Sequence, residues 1–431
     1  MEKRLALGEI AVEFLSFATQ GDVQYAALVL KKGYRSPEMI PLFKGSQLEE
    51  LDINLYYSSP SLYSLVWQPL ESELEDVERV YFAPAGELYN IAVEYVLTPD
   101  SEIISDSIEF YRLSSTRQLA LDRIAVNKGN AAVYGGLRYD TGIATLHRDS
   151  RGYGLRGRAA RSQVADLALR GAVSDLPGTK VEAEEICESL KGADMEVEIF
   201  TDTVGTEASF KNLQGEGLRL LHIATHGFYW TEREASRMDF VGFLMRGDVS
   251  MAVEDKALTR SGLLFAGANN ALQGKTLPDG VEDGILTAQE IASLDFNGLD
   301  LVVLSACQTG LGEITGDGVF GLQRGFKKAG AGTLLMSLWK VDDDATRLLM
   351  TRFYHNLLSG MDKYESLKEA QRYVRDYTVT VEVTPDVRPA ISAAAREEAR
   401  KRRQEEKEYK KVQKYRDPYY WAGFILLDAV W

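Results

Sequence analysis

Two stretches, LLHIATHGFY (Leu220–Tyr229) and LVVLSACQTG (Leu301–Gly310), decide the fold. Each holds a run of apolar and β-branched residues, the pattern of a strand covered on both faces. Each run ends in a reactive side chain: His226 followed by Gly227 in the first, Cys307 in the second. Parallel strands buried in an α/β sheet bring such terminal residues together at the carboxyl edge. A thiol and an imidazole meeting there make a nucleophile and its base. The predicted chemistry is thiolate attack on a peptide carbonyl, with His226 taking the thiol proton and later giving it to the leaving amine. Gly227 permits close backbone approach and can aim its N–H at the oxyanion; the N–H of Cys307 supplies a second donor.

Composition narrows the alternatives. With 431 residues, 45% of them hydrophobic, the chain can bury a large core as two domains or one large α/β unit. A net charge of −15 argues against nucleic acid as a partner, which would need a basic stripe. The two cysteines, Cys187 and Cys307, cannot build a disulfide framework or a zinc ribbon. The start, MEKRLALGEIAVEFLSF, reads as amphipathic and lacks the features of a signal peptide. No run reaches the roughly 18 apolar residues of a membrane span, so no membrane is expected and the simplest placement is cytoplasmic. Neither a cofactor nor a metal is expected; the consecutive acids Asp342–Asp344 are not a calcium-chelating loop. Of the four histidines, His222 lies deep inside its strand and reads as structural, while His147 and His355 read as surface residues. Cys187 falls within an amphipathic helix and reads as core.

Strands alternate with helices along the chain. Val23–Lys31, Val77–Ala83, Ala131–Asp140, Val197–Phe200, Leu220–Ala224, Leu301–Ala306, Thr333–Leu338 and Trp421–Leu427 read as strands or strands running into turns. Leu62–Glu75, Leu176–Leu190 with Thr179 as N-cap, Thr287–Leu294, Gly318–Ala329 and Ala345–Ser359 read as helices. Thr141–Ala172, polar and rich in Arg and Gly, reads as a loop or insertion. The expected class is α/β, a mostly parallel sheet flanked by helices. The first part of the chain, to about Leu121, carries neither Cys nor His and could not run thiol chemistry.

HIATHG with LSACQTGLGE, followed by GDGVFGLQRGFKKAGAGTLLMSLWKVDDDAT, closely resembles the CHAT family, caspase-like peptidases often attached to TPR repeats, in the clan of caspases, separase and gingipains. LYSLVWQPLESEL, RVYFAPAGELYNIAVEYV, YRLSSTRQL, VYGGLRYD, LPGTKVEAE, DGILTAQEI and PYYWAGFILLD resemble further stations of the family, so the likeness runs from about Leu62 to the C-terminus. It implies a caspase-like fold with an inert N-terminal domain (1–125) and an active C-terminal one (126–431). It also implies His226 and Cys307 as the catalytic pair, with Gly227 in the oxyanion hole. No TPR-like helix pairs precede the domain here, so the chain is expected to be a free-standing variant or a trimmed C-terminal piece. The charged stretch Val379–Tyr415 is longer than the family norm and reads as a processing or regulatory insertion near 379–415.

Asp342–Asp344 follows the strand after the one ending in Cys307, a position resembling the acidic pocket loop of separase. Adjacent carboxylates there would favour a basic substrate residue by charge-assisted pairing. Asp342 and Asp344, with Glu313 and Asp317 as second candidates, are therefore expected to select Arg or Lys before the scissile bond. The same acids also suit the start of a helix. An acidic pocket would make Arg151–Arg161 and Arg400–Arg403 candidate self-cleavage sites. The leading reading is a regulated endopeptidase acting on protein substrates, switched on by an upstream sensor or activator protein in prokaryotic defence or programmed cell death. The alternatives are a non-catalytic scaffold acting by docking and a thiol hydrolase acting on small molecules.

Overall fold

The computed structural model describes residues 1–19, 21–122, 125–127, 129–153, 172–229, 258–305, 313–315, 318–383 and 408–430. Eleven strands form the main sheet. Its first eight are β1 (Glu9–Thr19), β2 (Asp22–Lys31), β3 (Glu38–Lys44), β4 (Arg79–Ala83), β5 (Glu109–Arg112), β6 (Asn130–Leu137), β7 (Glu196–Asp202) and β8 (Leu218–Ile223). The short β9 (Gly227–Tyr229), β10 (Ser261–Leu264) and β11 (Ile285–Thr287) make a separate antiparallel sheet. β12 (Leu301–Leu304) returns to the main sheet, and β13 (Glu313–Thr315) pairs with β14 (Gly318–Phe320). β15 (Thr333–Ser337) rejoins it, β16 (Thr378–Val383) pairs with β17 (Glu408–Gln413), and β18 (Phe424–Leu427) completes it. The order is β3-β2-β1-β4-β5-β18-β15-β12-β8-β6-β7.

The two decisive runs are neighbours in this sheet. β8 and β12 pair in parallel, Leu220 opposite Leu301 and Ile223 opposite Leu304. Their largely apolar character has the expected cause. Val302 and Leu304 join one buried cluster with Leu221, Ile223, Phe326 and Phe210, while Leu301 and Val303 join another with Leu220, Ile186 and Phe353. The class is therefore α/β, a mostly parallel sheet flanked by helices. The antiparallel exceptions lie at β1–β2, β2–β3 and β15–β18. Strands from residues 9–112 and strands from residues 130–427 meet where β5 runs parallel to β18. Asp428 reinforces that seam: its carboxylate accepts from the backbone and hydroxyl of Ser114 and lies 2.9 Å from Lys327 Nζ. Among the described residues no helix is long and apolar enough to cross a membrane.

Local corrections concern element ends. The amphipathic start runs into strand β1 at Glu9. The Leu62–Glu75 stretch breaks at Pro69 into the short helices Ser61–Val66 and Glu71–Leu74 joined by a 3-10 turn. Ile143–Gly152, within a stretch read as loop, is a helix. Gly318–Phe320 is strand β14, and the helix begins only at Leu322. Thr179 does not cap its helix. That helix starts at Pro177, a residue suited to a first turn, and Thr179 Oγ1 instead donates to Leu176 O and accepts from the N–H of Gly136.

That last bond shows how closely this helix lies on β6. A Cβ on Gly135 would stand 2.3 Å from Thr179 O and 2.7 Å from Ala183 Cβ, so backbone would have to move. Gly135→Ala is therefore expected to destabilise the fold by about 1–3 kcal/mol through overpacking. Gly192→Ala, where a Cβ meets nothing within 4 Å, should stay within about 0.5 kcal/mol of the parent in urea unfolding.

Candidate active site

Past Ile223 the chain leaves β8 and is held by its backbone. Ala224 N donates to Tyr134 O at 2.8 Å, and Leu264 N donates to His226 O at 2.9 Å. The Thr225 hydroxyl donates to Leu264 O. That leaves Thr225 Oγ1 to accept from the Tyr139 hydroxyl at 2.8 Å, and Tyr139 Oη accepts from His226 N at 3.3 Å. Burial pushes the Tyr139 phenol up to about 12, so it stays protonated and keeps donating at ordinary pH. The His226 ring sits 5.1 Å from the Tyr139 ring and is partly exposed.

His226 Nε2 lies 2.9 Å from the carbonyl oxygen of Ser174. A carbonyl only accepts, so Nε2 must carry the hydrogen of the neutral ring. Nδ1 is then left with its lone pair, the form a base requires. When Nδ1 takes a proton, the carbonyl dipole at Nε2 steadies the resulting charge. Gly227 follows as the first residue of β9, opposite Leu263 in β10.

Cys307 and Asp317 lie outside the described residues, as do 154–161 and 400–403 of the candidate self-cleavage sites. The last described residue before Cys307 is Ser305. Its N–H donates to Ile223 O at 2.9 Å, which aligns the end of β12 with the end of β8. Glu313 begins β13. Asp342 serves as N-cap of the helix Asp343–Leu358, its Oδ1 accepting from Ala345 N at 3.0 Å. The Asp344 side chain is 72% exposed, with Lys414 Nζ at 3.8 Å. The sequence allowed both a capping role and a pocket role for these acids, and Asp342 performs the first.

His222 has different surroundings. It is fully buried, with Nδ1 3.1 Å from the Tyr354 hydroxyl and Nε2 3.4 Å from Glu182 Oε1. These groups come from the helices Asp343–Leu358 and Pro177–Gly192, so His222 ties two helices to the sheet. Cys187 is buried, and His355 is exposed.

Sequence reading missed Ser174, Tyr139 and Asn269. Ser174 acts through its carbonyl, which has no side-chain signature. Tyr139 follows the glycine-containing strand β6, and an aromatic hydroxyl just beyond a strand end was an available signal. Asn269 stands in GANN, whose paired amides open the short helix Asn269–Leu272 and mark a polar contact in an apolar surrounding.

Fold and site together define an α/β protein that places a tautomer-fixed histidine at the carboxyl edge of a mostly parallel sheet. The chain belongs to the CHAT domain family, whose model matches residues 58–429. It is 38% identical over 91 residues to Tetratricopeptide repeat protein 28 of Mus musculus, a match covering 21% of this chain and 4% of that protein. Among solved structures it is similar to the Arg specific cysteine proteinase gingipain R, with 9% identity and a TM-score of 0.40 over 75% of this chain and 65% of that one. It is also similar to the Saccharomyces cerevisiae separase-securin complex, with 9% identity and a TM-score of 0.36 over 72% of this chain and 16% of that one.

Proposed function

We propose that this chain is a cysteine endopeptidase in which Cys307 is the nucleophile and His226 its base. The observation that carries the reading is the Ser174 carbonyl on His226 Nε2, which leaves Nδ1 as the basic nitrogen. The Cys307 thiol gives its proton to Nδ1, and the thiolate adds to the substrate carbonyl carbon. Backbone N–H groups of Gly227 and Cys307 take the oxyanion. As the tetrahedral species collapses, the C–N bond breaks and the leaving amine takes the proton from Nδ1. Water, deprotonated by the same nitrogen, then cleaves the thioester, and the freed thiol regains a proton. The residues 1–125 carry no Cys or His and supply a supporting rather than a reacting half.

Acids after β15, with Asp344 exposed beside Asp342, support a preference for Arg or Lys before the cut, with Glu313 and Asp317 as further candidates. The family resemblance supports a role in prokaryotic defence or programmed cell death, with an upstream protein as activator. The test is a fluorogenic peptide panel varied at the residue before the cut, read with the parent and Cys307→Ala side by side. Turnover of Arg or Lys peptides, lost in the variant, is expected. Turnover that survives the variant would remove Cys307 from the mechanism, and turnover confined to acidic or apolar peptides would remove the basic preference.

A further inference from the structure

The carbonyl that orients His226 belongs to a segment without regular secondary structure. Val173, Ser174 and Asp175 precede the helix Pro177–Gly192 and make no ladder of their own. Such a segment offers a fixed acceptor only if something pins it on both sides. On one side stands Asn269, which is 1% exposed. Its Oδ1 accepts from Val173 N at 2.8 Å, and its Nδ2 donates to Val173 O at 2.9 Å and to Asp140 Oδ1 at 2.8 Å. The orientation of the carboxamide follows from these partners: two acceptors face Nδ2 and one donor faces Oδ1, so the reversed amide would oppose like groups. On the other side, Asp175 Oδ1 accepts from Tyr139 N at 3.2 Å. The backbone N–H of Asn269 donates in turn to Tyr139 O at 3.1 Å. Ser174 is thus held between two anchors that share Tyr139, the residue whose hydroxyl also holds the backbone of His226.

Asn270 provides an internal contrast. It is similarly buried and spends its Nδ2 on Thr141 O and Gly267 O, with no bond to residues 173–175.

We infer that Asn269 is a positioning residue that fixes the Nε2–H tautomer of His226 by clamping Val173 and so presenting the Ser174 carbonyl. The inference rests on His226 acting as the base, but its physical content, the tautomer, is measurable without turnover. A carboxamide meets the N–H and C=O of one residue with one acceptor and one donor, and keeps a second donor for Asp140. Asp at this position would keep the acceptor for Val173 N, lose both donors and set a second carboxylate against Asp140.

The experiment uses the full chain with nitrogen-15-labelled histidine. The imidazole nitrogens are observed by NMR at a pH where the rings are neutral, in the parent, Asn269→Asp, Asn269→Ala and Asn270→Ala. The parent is expected to show His226 as the Nε2–H form. Both Asn269 variants should convert it to a mixture of Nε2–H and Nδ1–H forms while the His147, His222 and His355 signals stay in place. Asn270→Ala should leave His226 as in the parent. Alkylation of Cys307 by iodoacetamide, followed by peptide mapping to separate it from Cys187, should slow on the order of tenfold at neutral pH in the Asn269 variants. An Nδ1–H tautomer in the parent overturns the inference, even if no variant folds. So does a His226 that keeps its tautomer in a folded Asn269 variant, or one that changes equally in Asn270→Ala. His226→Ala separates the two claims. If it leaves the pH profile of Cys307 alkylation unchanged, the dyad reading falls, and the tautomer result alone decides the role of Asn269.

Discussion

Lys211→Met is expected to destabilise the protein by about 3–5 kcal/mol at neutral pH, because it strands buried carboxylates. Lys211 Nζ lies 2.6 Å from Glu207 Oε1, 3.1 Å from Glu282 Oε2 and 3.1 Å from Glu290 Oε1. Glu207 is 1% exposed, and its other oxygen accepts from Gly284 N at 2.9 Å. Burial pushes the Glu207 and Glu290 carboxyls upward, against the pull of Lys211. Burial also works against the charge on Lys211, but the three carboxylates outweigh it and hold the ammonium above its ordinary range. The sign of the pH dependence follows. A carboxyl whose folded value is raised binds more protons in the folded state, so stability falls as pH rises through the interval between unfolded and folded values. Without Lys211 that interval widens, because nothing offsets burial. The deficit of Lys211→Met should therefore shrink as pH is lowered and Glu207 and Glu290 take up protons. Lys211 itself, raised in the folded state, contributes fully below its unfolded value of 10.5 and less as pH climbs through its folded value. Urea unfolding of parent and variant at pH 5, 7 and 9 checks this; a deficit that does not shrink on acidification would contradict it. The consequence reaches the site, since the segment held by Lys211 includes β11, which pairs with β10, which pairs with β9 just after His226.

The centre of the fold was legible because burial on both faces leaves a compositional mark. Leu218–Ile223 and Leu301–Leu304 have no alternating polar face to mislead, Arg219 and His222 being their polar residues, and they pair in parallel as neighbours. Even His222 was readable as structural, since strand period sets it deep among core residues, with Tyr354 in hydrogen-bond reach of Nδ1 and Glu182 3.4 Å from Nε2. Element ends were less legible. Thr179 has the chemistry of an N-cap, but tertiary packing turned its hydroxyl toward Gly136, and Pro177 had already opened the helix. The acids after β15 had two uses that sequence weighs equally, and geometry gave Asp342 the cap. Least legible was the surrounding of His226. The atom facing its Nε2 is the main-chain oxygen of Ser174, and the side chain that grips the preceding residue, Val173, is Asn269, 96 residues further along. Composition and period carry no signal for the first, and the paired amides of GANN mark the second without naming its partner.

His226→Ala is expected to lower kcat/KM on basic peptides by roughly 10⁴-fold, the scale on which a general base and acid serving both halves of a covalent mechanism contributes. On the proposed mechanism the loss belongs to kcat, since the ring would exchange protons with the thiol and the leaving group rather than anchor substrate. Tyr139→Phe makes the sharper experiment. It removes the hydroxyl that accepts from His226 N and donates to Thr225, and it leaves the aromatic body in the core. A drop on the order of tenfold is expected, from an imidazole less firmly placed. Because burial holds the phenol up to about 12, Tyr139 is neutral throughout the range from pH 6 to 10. The ratio of parent to Tyr139→Phe activity should therefore be constant across that range, and any alkaline limb in the parent must survive the substitution. A ratio that varies with pH would mean that the phenol itself exchanges a proton during turnover, as an acid or base rather than a support. His222→Gln supplies the contrast from the same strand. It removes the partner of Glu182 and Tyr354 and should lower the unfolding midpoint, yet leave the pH profile of kcat/KM unmoved, because His222 contacts two helices and not the carboxyl edge.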